Sequence, residues 1–120
     1  MHEILSLGCI VNTICKDHNC DLVVDIGSGL GYLSHLLFIK YGYSVLGLEA
    51  KKDFIELAYK NQHKFYPQAE GSVIFCELYV SENSVADIQN LVTMNFSSKK
   101  KICIVGLHSC ADLSITVLKI

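Results

Sequence analysis

At 120 residues the chain is the size of one small domain, and with 51% apolar residues it can bury a core. No apolar run approaches the ~20 residues that cross a bilayer, and Met1-His2-Glu3-Ile4 lacks the basic start of a signal peptide. The net charge is −2 and there is no arginine, the usual bidentate reader of phosphate and guanine, so charge does not support a nucleic-acid surface.

Along the chain, residues 3–15 carry Leu7, Ile10, Val11 and Ile14 at helical spacing. Asp17-His18-Asn19 reads as a linker. A short apolar run, residues 22–26, predicts the first strand. It passes through Gly27, Gly29 and Gly31 into a helical pattern in which Leu33, Leu36, Leu37 and Tyr41 share a face. Gly42 suits the left-handed residue after a helix end. The second strand is predicted over 44–49. A helix follows, opened by residues 50–53, with Phe54, Leu57, Ala58 and Phe65 as its expected inner face. The third strand spans 72–77 and is expected to run on towards Val80. Ser84-x-x-Asp87 resembles a capping box ahead of a helix through Val85, Ile88, Leu91 and Val92. The fourth strand, 102–107, is apolar throughout, as a strand buried on both faces would be. The chain is then expected to turn at residues 108–112 into a final helix.

Strands alternating with helices predict an α/β fold with a parallel sheet. Right-handed crossovers give the order 3-2-1-4, with a ligand crevice beyond the carboxyl ends of the strands. Gly27–Gly31, Glu49, the segment near Tyr79-Val80-Ser81 and residues 108–112 all fall on that rim. Glycines at the first corner permit positive φ and let a ligand approach the main chain, while the first amides of the following helix point outward. The spacing is G-x-G-x-G, with Tyr32 in place of the last glycine of a dinucleotide fingerprint, which disfavours a nicotinamide-dependent oxidoreductase.

Asp25-x-Gly27-x-Gly29-x-Gly31, followed by Glu49 at the end of the second strand, resembles the first two motifs of class I S-adenosylmethionine-dependent methyltransferases. The resemblance implies a Rossmann-like three-layer sandwich. It implies that Asp25, Gly27, Ser28, Gly29 and Gly31 form the cofactor loop around the methionine part, and that Glu49 binds the ribose hydroxyls. Residues 105–114, Val-Gly-Leu-His-Ser-Cys-Ala-Asp-Leu-Ser, resemble the G-L-H-x-C-G-D-L-[ST] signature of the methyltransferase-like 25 group. Residues 24–34, the stretch from Tyr41 to Glu49, and His2-Glu3-Ile4 are also similar to that group. Ala111 stands where the group has glycine, at a cost of about 1 kcal/mol if positive φ is required.

Class I domains have seven strands, so residues 1–120 are expected to be a single, incomplete cofactor-binding domain, a truncated form with about four strands. Its fourth strand would then be an exposed, association-prone edge. His108 is the candidate catalytic base, because imidazole titrates near neutrality, and its alternative role is to support the turn by hydrogen bonds. Cys110 reads as a turn or packing residue and Asp112 as a helix cap. The methyl acceptor, RNA or protein, is not specified. A SAM-fold module without chemistry is the competing reading. The six cysteines, four of them in or near apolar segments, suit a reduced cytoplasmic or nuclear protein rather than a zinc site at residues 15–20. No metal and no membrane are expected.

Overall fold

The computed structural model describes residues 2–81, 83–99, 101–107 and 113–119. Helix α1 (His2–His18) precedes strand β1 (Leu22–Ile26), and α2 (Tyr32–Tyr41) leads to β2 (Ser44–Glu49). Then come α3 (Lys52–Phe65), a short 3-10 turn at Pro67–Ala69, β3 (Val73–Glu77), α4 (Val85–Asn95), β4 (Lys101–Leu107) and β5 (Leu113–Lys119). The sheet order is β3-β2-β1-β4-β5. The first four strands are parallel and have the predicted order, 3-2-1-4.

Alternate side chains of each strand enter two cores, as the two-residue period requires. Val23, Val45, Val73, Phe75, Cys103 and Val105 meet Val11 and Cys15 of α1, Leu37 of α2 and Ala58 of α3. Leu22, Val24, Leu46, Leu48 and Ile102 meet Ile88, Val92 and Phe96 on the opposite face, at and just after α4. The result is the predicted three-layer sandwich. Gly8 lets α1 approach α2: a Cβ there would lie 3.0 Å from Leu36.

Some local expectations hold. Gly42 ends α2 at φ 80°, its amide donating to the Phe38 carbonyl at 2.8 Å and that of Tyr43 to Leu37 at 3.3 Å. Others are corrected. The segment after residue 112 is not a helix. Leu113–Lys119 pairs antiparallel with β4, from Lys101 opposite Lys119 to Leu107 opposite Leu113. Consecutive β-branched residues, Ile115, Thr116 and Val117, favour an extended chain, and Ile115 and Val117 reach the first core while Leu118 reaches the second. Strand β4 is therefore an inner strand rather than the exposed edge.

The inner face of α3 is also different. Leu57 is 45% and Phe65 59% exposed, whereas Ala58 and Gln62 are buried. Ser84 precedes α4 but does not cap it by its side chain. Its hydroxyl instead accepts the Ser81 amide at 2.8 Å.

Candidate functional site

The parallel register brings the carboxyl ends of β1 and β2 side by side, Ile26 opposite Leu48, so that the glycine turn and Glu49 share one rim. Gly27, Gly29 and Gly31 have φ values of 70°, 57° and 84°, the left-handed region that only glycine enters without strain. The Glu49 carboxylate accepts the Gly29 amide at 2.9 Å with one oxygen and the Lys51 amide at 2.9 Å with the other. It is 8% exposed. Two backbone donors hold it at the mouth of a cavity of about 240 Å³, whose other walls include Ile26, Gly27, Ala50, Leu78, Tyr79 and Val80. A larger groove of about 680 Å³ beside Tyr59, Gln62, His63 and Glu70 lies along the outside of β3, away from this rim.

Most amides of the turn are already engaged. Gly27 and Ser28 donate to the Leu48 carbonyl at 2.7 and 3.1 Å, and Gly31 donates to Ser28 at 2.9 Å. The donors left without helical partners are those of the first turn of α2, Tyr32 to Ser34. Asp25 does not reach over the turn. It lies behind it, 5% exposed, and accepts the Ser34 hydroxyl at 2.7 Å. Burial pushes its carboxyl up to about 6; the Ser34 hydrogen bond opposes that shift and the Glu49 charge adds to it.

Several supporting residues escaped sequence reasoning. Gly47 sits under the Phe75 ring, where a Cβ would come within 2.5 Å of it. His35 is 2% exposed, stacked on Tyr66 with ring centroids 4.8 Å apart, and its Nε2 lies 3.1 Å from Gln62 Nε2. A lone histidine or glutamine within a helix carries no periodic signal; only their mutual spacing in three dimensions marks them.

His108, Cys110, Ala111 and Asp112 lie outside the described residues. Among the described residues no group of three His, Cys, Asp or Glu side chains could hold a metal. Cys15, Cys20 and Cys103 are buried in the first core as free thiols, and burial pushes the Cys20 thiol up to about 11. Among the described residues no helix is long and apolar enough to cross a membrane.

A family model for a methyltransferase domain matches residues 1–120. The chain belongs to the methyltransferase domain family. It is 37% identical over 49 residues to the human probable methyltransferase-like protein 25, a match covering 41% of this chain and 8% of that relative. The chain thus matches only a small part of that relative's length. The methyltransferase domain of bacterial CtHen1-C superposes with a TM-score of 0.55 at 16% identity, over 86% of this chain and 65% of that one. A SAM-dependent methyltransferase from Thiobacillus denitrificans in complex with S-adenosyl-L-homocysteine gives 0.52 at 18% identity, over 87% and 47%. A chain described as a pyruvate kinase from Cryptosporidium parvum gives 0.64 at 13% identity, over 95% and 22%. At these identities the superpositions establish the shared layered sheet, while membership in the methyltransferase family rests on the full-length family match.

The rim fits the cofactor that the family implies. A Cβ built on Gly27 or Gly29 would meet nothing within 4 Å, so the turn presents bare main chain to open space. The Ser28 hydroxyl is buried without a hydrogen-bond partner, a costly state that a polar ligand group could relieve.

Proposed function

We propose that this chain is the cofactor-binding part of an S-adenosylmethionine-dependent methyltransferase, with Gly27–Gly31 holding the methionine portion and Glu49 the ribose hydroxyls. The observation that carries this is the Glu49–Gly29 hydrogen bond, which joins an acid at the end of β2 to the glycine turn at the end of β1. An ionised carboxylate has about four lone-pair sites, so two backbone amides leave Glu49 able to accept a pair of vicinal hydroxyls. Leu78 and Val80, on the crevice wall, supply an apolar side for a flat ring.

When bound, the cofactor supplies a methyl group already activated on a sulfonium, so the protein's main task is orientation. Within this reading Gly27 and Gly29 allow close main-chain approach, the first-turn amides of α2 would hold the amino-acid carboxylate, and Asp25 fixes α2 through Ser34. His108 is proposed as the base where the acceptor must lose a proton. The acceptor is proposed to be an RNA or a protein. The free thiols suit a reduced compartment, cytoplasm or nucleus.

Calorimetric titration with S-adenosylmethionine, S-adenosylhomocysteine and NAD tests the assignment. Binding of the first two but not NAD is expected. Glu49→Ala should weaken S-adenosylhomocysteine binding about tenfold, the worth of a charge-assisted hydrogen bond. An unchanged affinity would refute the ribose role.

A further inference from the structure

Beneath the glycine turn lies a buried cluster that none of the roles above uses. The His35 ring is held between Tyr66, stacked at 4.8 Å, and Phe75, edge-on at 5.5 Å. Its Nε2 faces Gln62 Nε2 at 3.1 Å, and the same Gln62 nitrogen donates to the Val73 carbonyl at 2.9 Å. That carbonyl sets the glutamine's orientation, since rotating the amide would bring two acceptors together. An amide nitrogen can only donate. His35 Nε2 must therefore accept, and the ring proton must sit on Nδ1. Nδ1 faces Gly31, 3.3 Å from where a Cβ on that glycine would stand, so its N–H is turned to the Gly31 backbone, whose carbonyl also accepts the His35 amide at 2.9 Å. Gly31 is the left-handed residue that ends the turn and begins α2.

We propose that His35, as the neutral Nδ1-protonated tautomer set by Gln62, is a positioning residue for the glycine turn, tying Gly31 to the edge of the sheet at Val73 and making cofactor affinity depend on the ring staying neutral. The inference rests on the cofactor reading above. A second proton would put an N–H on Nε2 against the N–H of Gln62, turning an attraction into a clash of two donors. A cation would also stand in an aromatic box. Burial already holds the ring's pKa below its ordinary value. The groups around the ring include Gln62 from α3, Tyr66 after it, Phe75 from β3 and Gly31, and Tyr32 lines a cavity with His35; the ionisable ones among them are the two tyrosines. Asp25 reaches Ser34, the residue before His35 in α2.

Two variants separate the ring's two contacts. The amide of His35→Asn occupies the Nδ1 position and keeps a donor towards Gly31. That of His35→Gln occupies the Nε2 position and does not. S-adenosylhomocysteine affinity should stay near wild type in His35→Asn and fall about tenfold in His35→Gln, the loss of one buried hydrogen bond plus misplacement. Wild-type affinity should also fall at pH values beneath the ordinary imidazole range, because burial lowers the ring's pKa, and the fall should persist in Asp25→Asn. Ring nitrogen NMR of the wild-type chain should show a protonated Nδ1 and a bare Nε2, a readout that needs neither variant to fold nor any ligand. The opposite tautomer, equal affinities in the two variants, or a flat pH profile with Glu49→Ala still impaired would overturn this inference and leave the cofactor reading standing. No binding of S-adenosylhomocysteine by the wild-type chain would remove both.

Discussion

Asp25 shows how far the role of a residue depends on where its side chain points. Two positions before the first glycine it reads as a cofactor contact, yet its carboxylate is turned inward to Ser34 and buried. Because burial raises its pKa to about 6, the folded chain holds this proton more tightly than the unfolded chain does. The associated stability is therefore fully present below about pH 4 and is lost as pH rises through 6. Asp25→Asn removes the titration while keeping an acceptor for Ser34. Thermal melts should show the variant's stability flatter between pH 4 and 7 and higher than wild type at pH 7, by a margin on the order of 1–3 kcal/mol. A variant less stable than wild type at pH 7 would mean that the ionised carboxylate has a stronger partner than Ser34. Glu49 stays at the rim instead, both of its oxygens accepting backbone amides.

At the scale of elements, α3 guards one edge of the sheet. β3 is the outermost strand on its side, and an open edge invites pairing with another chain. The Tyr59 hydroxyl accepts the Phe75 amide at 2.8 Å and donates to the Phe75 carbonyl at 3.0 Å, while Gln62 covers the Val73 carbonyl. Three outward-facing backbone groups of β3 are thereby satisfied by side chains. Tyr59→Phe removes one oxygen that serves two of them. It should cost about 1–3 kcal/mol in urea unfolding and speed amide exchange at Phe75; exchange at wild-type rate would show that the tyrosine is not the guard. Hydrophobic periodicity counts Leu57 and Phe65 as the inner face of α3, whereas the structure buries Ala58 and Gln62. A half-polar helix face is chosen by the backbone groups it must satisfy, and those belong to a strand eight or more residues downstream.

Across the whole molecule, β5 guards the other side. Its antiparallel pairing covers β4 and adds Ile115, Val117 and Leu118 to the two cores. A chain ending at Leu107 should lose this cover and associate, giving a melting temperature that depends on concentration and a rise in light scattering. Melts identical at all concentrations would show that β4 needs no partner. The sequence by itself determined the alternation of strands and helices, the parallel order of the first four strands, the glycine turn and the acid that faces it. These follow from local signals: continuous apolar runs, helical periods, and glycines where the chain must adopt positive φ. Only the tertiary structure decided that Asp25 turns inward, that His35 and Gln62 brace the turn, and that the last segment is a strand rather than a helix. Each of these depends on which distant backbone or side-chain group lies within hydrogen-bonding reach, and that distance exists only once the sheet has assembled.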